Sequence, residues 1–66
     1  MQITINGEEK NVLDELTVSG LLEQLEIRSK FCAVERNKEL VPRGQHANCI
    51  LQPGDRLEIV TLVGGG

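Results

Sequence analysis

The chain is 66 residues long and sets ten acidic against seven basic side chains, a formal net charge of −3 at pH 7. Such a length supports one small core, with about 60% of the unfolded surface buried, and an enclosed catalytic pocket of roughly 300 Å³ or more has little room in it. An acidic chain whose only aromatic residue is Phe31 also lacks the cationic footprint and the stacking platform of a nucleic-acid binder.

Taken in chain order, Gln2-Ile3-Thr4-Ile5 alternates polar and apolar side chains, the period of a half-buried strand. Asn6-Gly7 follows, a pair that tolerates the positive φ angles of a tight hairpin turn. The return strand is expected over residues 8–13. Its polar composition makes it an edge strand. Thr17 reads as a helix N-cap, with its hydroxyl free to accept from the first turn, and Leu16 and Leu21 are spaced as a hydrophobic staple. Val18, Leu21, Leu22 and Leu25 then form one apolar stripe at helical spacing. Gly20 inside it costs the helix about 1 kcal/mol against alanine. The helix is expected to end near Glu26 or Ile27, and being short it must be held by packing on a sheet.

Residues 31–35 read as a third strand and residues 36–38 as a turn. Residues 39–41 read as a fourth strand, stopped by Pro42, which has no N–H to donate. Residues 43–49 are polar and fit an irregular or single-turn helical connection. Pro53-Gly54-Asp55 is a strong turn signal. Residues 56–63 alternate as a last strand, with Leu57, Ile59 and Thr61 on one side and Glu58, Val60 and Leu62 on the other. The expected order is β-β-α-β-β-β in a single domain over residues 1–63, followed by a flexible glycine tail at residues 64–66.

Cys32 and Cys49 are too few for a disulfide framework. No apolar run approaches the roughly 20 residues of a membrane span, and the first residues have no signal-peptide pattern. A cytoplasmic protein, a monomer when free, is expected. His46-x-x-Cys49, even joined by Cys32, lacks the paired spacing and the four ligands of a structural zinc site, so no metal is expected. With Leu57 and Ile59 turned inward, Val60, Leu62 and Val63 form an apolar stretch beside the tail that fits a partner's docking footprint. Val63-Gly64-Gly65-Gly66 closes the sequence. Three extended residues without side chains reach roughly 10 Å, slim enough to enter another protein's active-site channel.

The Asn6-Gly7 hairpin, Thr17-Val18 opening a leucine-rich helix, Val34-Glu35-Arg36-Asn37, Val41-Pro42-Arg43, Gly54-Asp55 and Gly65-Gly66 together resemble the ThiS family of thiamine-biosynthesis sulfur carriers. That family is a branch of the ubiquitin-like β-grasp proteins. The resemblance spans the whole chain. The terminal diglycine is the piece most specific for the superfamily, and the Arg-Asn and Val-Pro-Arg segments point to the thiamine branch. Gly64 stands where an alanine or another small residue is also common. It implies an α+β fold, a mixed sheet of about five strands with one helix packed on one face.

By the same resemblance, the Gly66 carboxylate is the group acted upon. An E1-like adenylating enzyme of the ThiF type activates it with ATP, and a persulfide sulfur donor converts it to a thiocarboxylate. A thiazole synthase of the ThiG type then consumes the sulfur for the thiazole ring of thiamine. Gly64 and Gly65 serve as the thread. The chain itself binds no cofactor and supplies no catalytic residue, so it is a protein co-substrate and not an enzyme. Two related readings stay open, a carrier for a molybdopterin-type pathway and a ubiquitin-like protein modifier. Intact mass separates them, sulfur exchange on one side and attachment to lysines on the other. A third is a non-covalent interaction module, whose function would survive loss of Gly65 and Gly66.

Overall fold

The computed structural model describes residues 1–62. Val63, Gly64, Gly65 and Gly66, and with them the expected domain boundary and tail, lie outside the described residues. Five strands form one mixed sheet in the order β2-β1-β5-β3-β4. They are β1 (Gln2–Ile5), β2 (Glu8–Asn11), β3 (Cys32–Arg36), β4 (Glu39–Val41) and β5 (Arg56–Thr61), and one helix, α1 (Val18–Gln24), lies between β2 and β3 in sequence. β1 and β5 run parallel at the centre, and every other neighbouring pair is antiparallel. The expected order and fold class are those observed.

Alternation sets which face is covered. Ile3 and Ile5 of β1, Val34 of β3 and Leu57 and Ile59 of β5 are buried with Val18, Leu21 and Leu22 of the helix. Seven helical residues have little stability alone, so this shared apolar face is what holds α1. The N–H groups of its first three residues, which a helix cannot satisfy internally, all find acceptors. Val18 and Ser19 donate to the carbonyls of Cys49 and His46 at 2.9 and 3.0 Å. Gly20 donates to the Thr17 hydroxyl at 3.0 Å. The polar connection, expected to be irregular or a single helical turn, therefore caps the helix. It includes a 3₁₀ turn at Arg43–Gln45.

Several boundaries differ from expectation, each for a local reason. β2 ends at Asn11, the register partner of Gln2, and the backbone pairing runs one residue further, with the Val12 N–H donating to the Met1 carbonyl at 2.8 Å. The helix ends at Gln24, two or three residues early. Leu25 caps it, Glu26 adopts a left-handed φ of 59°, and the Ile27 and Glu26 N–H groups return to Leu22 and Glu23 at 2.9 and 3.1 Å. This is a Schellman closure, and it brings Ile27 back against the core. Phe31 is not in the third strand. It ends a 3₁₀ turn at Ser29–Phe31, while Arg36 belongs to β3 and the tight turn is Asn37-Lys38, with φ of 51° and 70°.

Gly20 has a use that helix propensity hides. A Cβ there would sit 2.8 Å from a Leu16 methyl, so the missing side chain lets Leu16 lie over the first helical turn. Leu51 is also a core residue, 1% exposed. It lies in no strand, but its N–H donates to the Leu16 carbonyl at 2.8 Å.

Candidate functional site

β5 carries the chain toward its glycines, and its two sides differ. Leu57 and Ile59 are buried under the helix, whereas Val60 is 57% exposed and Leu62, just past the strand, 52% exposed. Both stand where alternation placed them. Val63, Gly64, Gly65 and Gly66, the remaining members of the expected site, lie outside the described residues.

Neighbouring strands enlarge this apolar surface. Ala33 of β3 faces Val60, and the Leu62 N–H donates to the Phe31 carbonyl at 2.6 Å. Phe31 is exposed, with the Lys30 ammonium 5.1 Å from its ring centroid, a cation–π distance. Leu40 of β4 is exposed as well and stands opposite Glu35. Sequence reasoning assigned no role to Phe31 or Leu40. For Leu40 the signal was available in the alternation, since the half-buried Val41 leaves it facing out, whereas Phe31 ends a 3₁₀ turn that strand alternation does not reach.

Arg36, Asn37 and Asp55, quoted above as family-typing residues, form one polar clamp at the start of β5. Asp55 is 7% exposed. Its carboxylate accepts from the Gln52 N–H at 2.8 Å and from Asn37 Nδ2 at 3.1 Å, with Arg36 Nε at 3.8 Å. Asn37 Oδ1 accepts from the Arg56 N–H at 3.0 Å. Arg36 also donates from Nη1 to the Ile50 carbonyl at 3.3 Å and to the Cys49 sulfur at 3.5 Å. A buried carboxylate is tolerated only with such partners. The clamp sets where β5 begins, and hence where Val60 and Leu62 emerge.

The remaining candidate ligands are separated by structural roles. His46 is 3% exposed. Its Nε2 lies 3.1 Å from the Val41 carbonyl, which can only accept, so Nε2 carries the proton. Nδ1 is buried without a partner. Cys32 is buried and Cys49 half-buried, and both are free thiols. Burial pushes the Cys32 thiol upward in pKa, and Arg43 pulls weakly the other way. Among the described residues no three His, Cys, Asp or Glu side chains gather as a metal site. No described helix is long and apolar enough to cross a membrane.

A family model described as the ThiS family matches residues 3–66. A protein named sulfur carrier protein ThiS from Escherichia coli is 38% identical over 66 residues, covering 100% of both chains. A thiazole synthase of Paramagnetospirillum magneticum is 47% identical over the same length, which is 100% of this chain and 20% of that protein. The chain thus spans a fifth of the length of the thiazole synthases it matches. The crystal structure of a thiamine biosynthesis protein, ThiS, from Geobacter metallireducens superposes with a TM-score of 0.85 at 30% identity, over 100% of both chains.

Proposed function

The chain belongs to the ThiS family, and on that premise we propose that it carries sulfur for the thiazole ring of thiamine on the carboxylate of Gly66. A carboxylate has a poor leaving group. An E1-like adenylating partner supplies a better one, joining Gly66 to AMP at the expense of ATP with release of pyrophosphate. The outer sulfur of a persulfide donor displaces AMP, and a thiol of the donor system, oxidised to a disulfide in exchange, releases the thiocarboxylate. A thiazole synthase then takes the sulfur. Gly64 and Gly65, without side chains, are the thread that lets the reacting carbon reach each active site.

The observation that carries this reading is the full-length match to the family together with the open sheet face. Val60 and Leu62, more than half exposed, immediately precede the segment Val63-Gly64-Gly65-Gly66. Exposed apolar residues there give partner enzymes a grip beside the reactive carbon. The matching thiazole synthases contain a segment like this chain within one polypeptide, which supports a thiazole synthase as the consuming partner. The chain acts as a co-substrate.

The test is intact-mass analysis after incubation with ATP, an adenylating partner and a persulfide source. The expected result is exchange of one oxygen for one sulfur at Gly66, lost on deletion of Gly65 and Gly66. Attachment to lysines of other proteins, with no sulfur gained, overturns the proposal.

A further inference from the structure

Two asparagines hold β5 from opposite sides. Asn6 opens the turn between β1 and β2, and Asn37 the turn between β3 and β4, with left-handed φ of 50° and 51°. Asparagine tolerates that region better than most side chains. β1 pairs with β5 at Thr4–Arg56 and Ile5–Leu57 and then turns away. Beyond Leu57 the Asn6 side chain takes over, accepting from the Ile59 N–H and donating to the Ile59 carbonyl. On the other side β3 pairs with β5 from Arg36–Leu57 to Cys32–Thr61, and Asn37 extends that ladder to Arg56. Its N–H donates to the Arg56 carbonyl at 2.7 Å, and its Oδ1 accepts from the Arg56 N–H. The register so held puts Val60 opposite Ala33 and Glu58 opposite Glu35.

Burial contributes little to holding the far end of β5. Past Leu57, Ile59 is buried, whereas Glu58, Val60, Thr61 and Leu62 are all exposed. A strand end with so little buried apolar surface opens locally at a low free-energy cost. The bonds of Asn6 to Ile59 therefore govern how often Val60 and Leu62 stand in place, and from what point the segment Val63-Gly64-Gly65-Gly66 starts.

We propose that Asn6, assisted by Asn37, is a positioning residue for the reaction at Gly66. The inference rests on the function proposed above and adds residues that neither dock nor react. A partner that engages only the closed form of the strand end binds with an affinity reduced by the fraction of chains in that form. A lifted strand end also displaces the reacting carbon relative to the docking face, and small misplacements of a reacting group cost rate steeply.

The test compares the natural chain with Asn6→Gly, Asn6→Asp, Asn37→Gly and, as a control, Val18→Ala. Glycine accepts the left-handed turn, so Asn6→Gly keeps the hairpin and loses both bonds to Ile59. Asn6→Asp keeps the acceptor for the Ile59 N–H. Val18 lies buried in the helix, and its truncation lowers stability without removing a hydrogen bond to β5. Two quantities are read well below every unfolding midpoint: kcat and KM for ATP-dependent adenylation by the E1-like partner, and amide exchange at Leu62, whose N–H donates to the Phe31 carbonyl. Asn6→Gly should lose about tenfold in kcat/KM and exchange faster at Leu62. Asn6→Asp and Asn37→Gly should each lose about threefold, and Val18→Ala should keep the natural kinetics despite its lower midpoint. Natural kinetics in Asn6→Gly overturn the proposal. So does an equal loss in Val18→Ala, which leaves the asparagines a purely structural role. Should Asn6→Gly fail to fold, Asn6→Asp and Asn37→Gly decide by the same comparison. A natural chain that is never adenylated sinks the carrier reading and this proposal with it, whereas a natural chain adenylated no faster than Asn6→Gly sinks this proposal alone.

Discussion

Asn6 and Ile59, 53 residues apart, are joined by two hydrogen bonds: Asn6 Nδ2 donates to the Ile59 carbonyl at 3.1 Å, and Asn6 Oδ1 accepts from the Ile59 N–H at 2.8 Å. The side chain continues the β1–β5 pairing beyond Ile5, where the backbone has already entered its turn with φ of 50°. One residue therefore closes the first hairpin and pins the strand that leads to the glycines.

Replacing Asn6 with alanine removes both bonds and puts a Cβ residue without local hydrogen bonding at positive φ. The expected loss is about 2–3 kcal/mol. Denaturant unfolding measures it, and amide exchange at Ile59, whose N–H loses its acceptor, should accelerate more than at residue 6, whose N–H still donates to the Leu57 carbonyl.

Gly20→Ala alone should change stability by less than about 0.5 kcal/mol, because the helix-propensity gain of about 1 kcal/mol is offset by displacing the Leu16 methyl. In a Leu16→Ala background the gain should appear in full. A double-mutant cycle with no coupling would show that the close approach has no energetic consequence.

Glu26→Gly should stabilise the chain by about 0.5–1 kcal/mol. The Schellman position requires the left-handed conformation that glycine adopts without strain, and Glu26 holds φ of 59° there. Glu26→Ala provides the control, with no gain expected in the unfolding midpoint.

Burial raises the Cys32 pKa above its ordinary value of 9.0. The folded chain therefore holds this proton more tightly than the unfolded chain, and stability must fall as pH rises. The loss begins as pH passes the unfolded value and continues through the folded one. Unfolding midpoints for the natural chain and Cys32→Ala, followed from neutral to alkaline pH, should show a steeper alkaline decline in the natural chain.

Val60→Asp should leave the unfolding midpoint nearly unchanged, since Val60 is 57% exposed, and should slow adenylation of Gly66 by weakening engagement of the adenylating partner. Unaltered adenylation kinetics would remove Val60 from the docking surface.

Much of the fold was legible in local pattern. The two-residue period assigned the buried and open sides of β1 and β5, Asn6-Gly7 and Pro53-Gly54-Asp55 marked turns, and Thr17 with its leucine stripe marked the helix. These signals depend on side-chain spacing and on φ preferences, which neighbouring residues carry by themselves. Element ends were less accessible. The helix stops where Ile27 finds the core, a consequence of distant packing.

Pairing across the sheet was decided only by the tertiary structure. The sequence by itself determined that Val60 and Leu62 turn outward ahead of Gly64-Gly65-Gly66, because alternation is a local property. That Glu35 meets Glu58, that Phe31 adjoins Leu62, and that Arg36, Asn37 and Asp55 close into one clamp depend on strand order and register. Those are set when the whole apolar set is buried at once, a collective free-energy minimum that no short segment encodes alone.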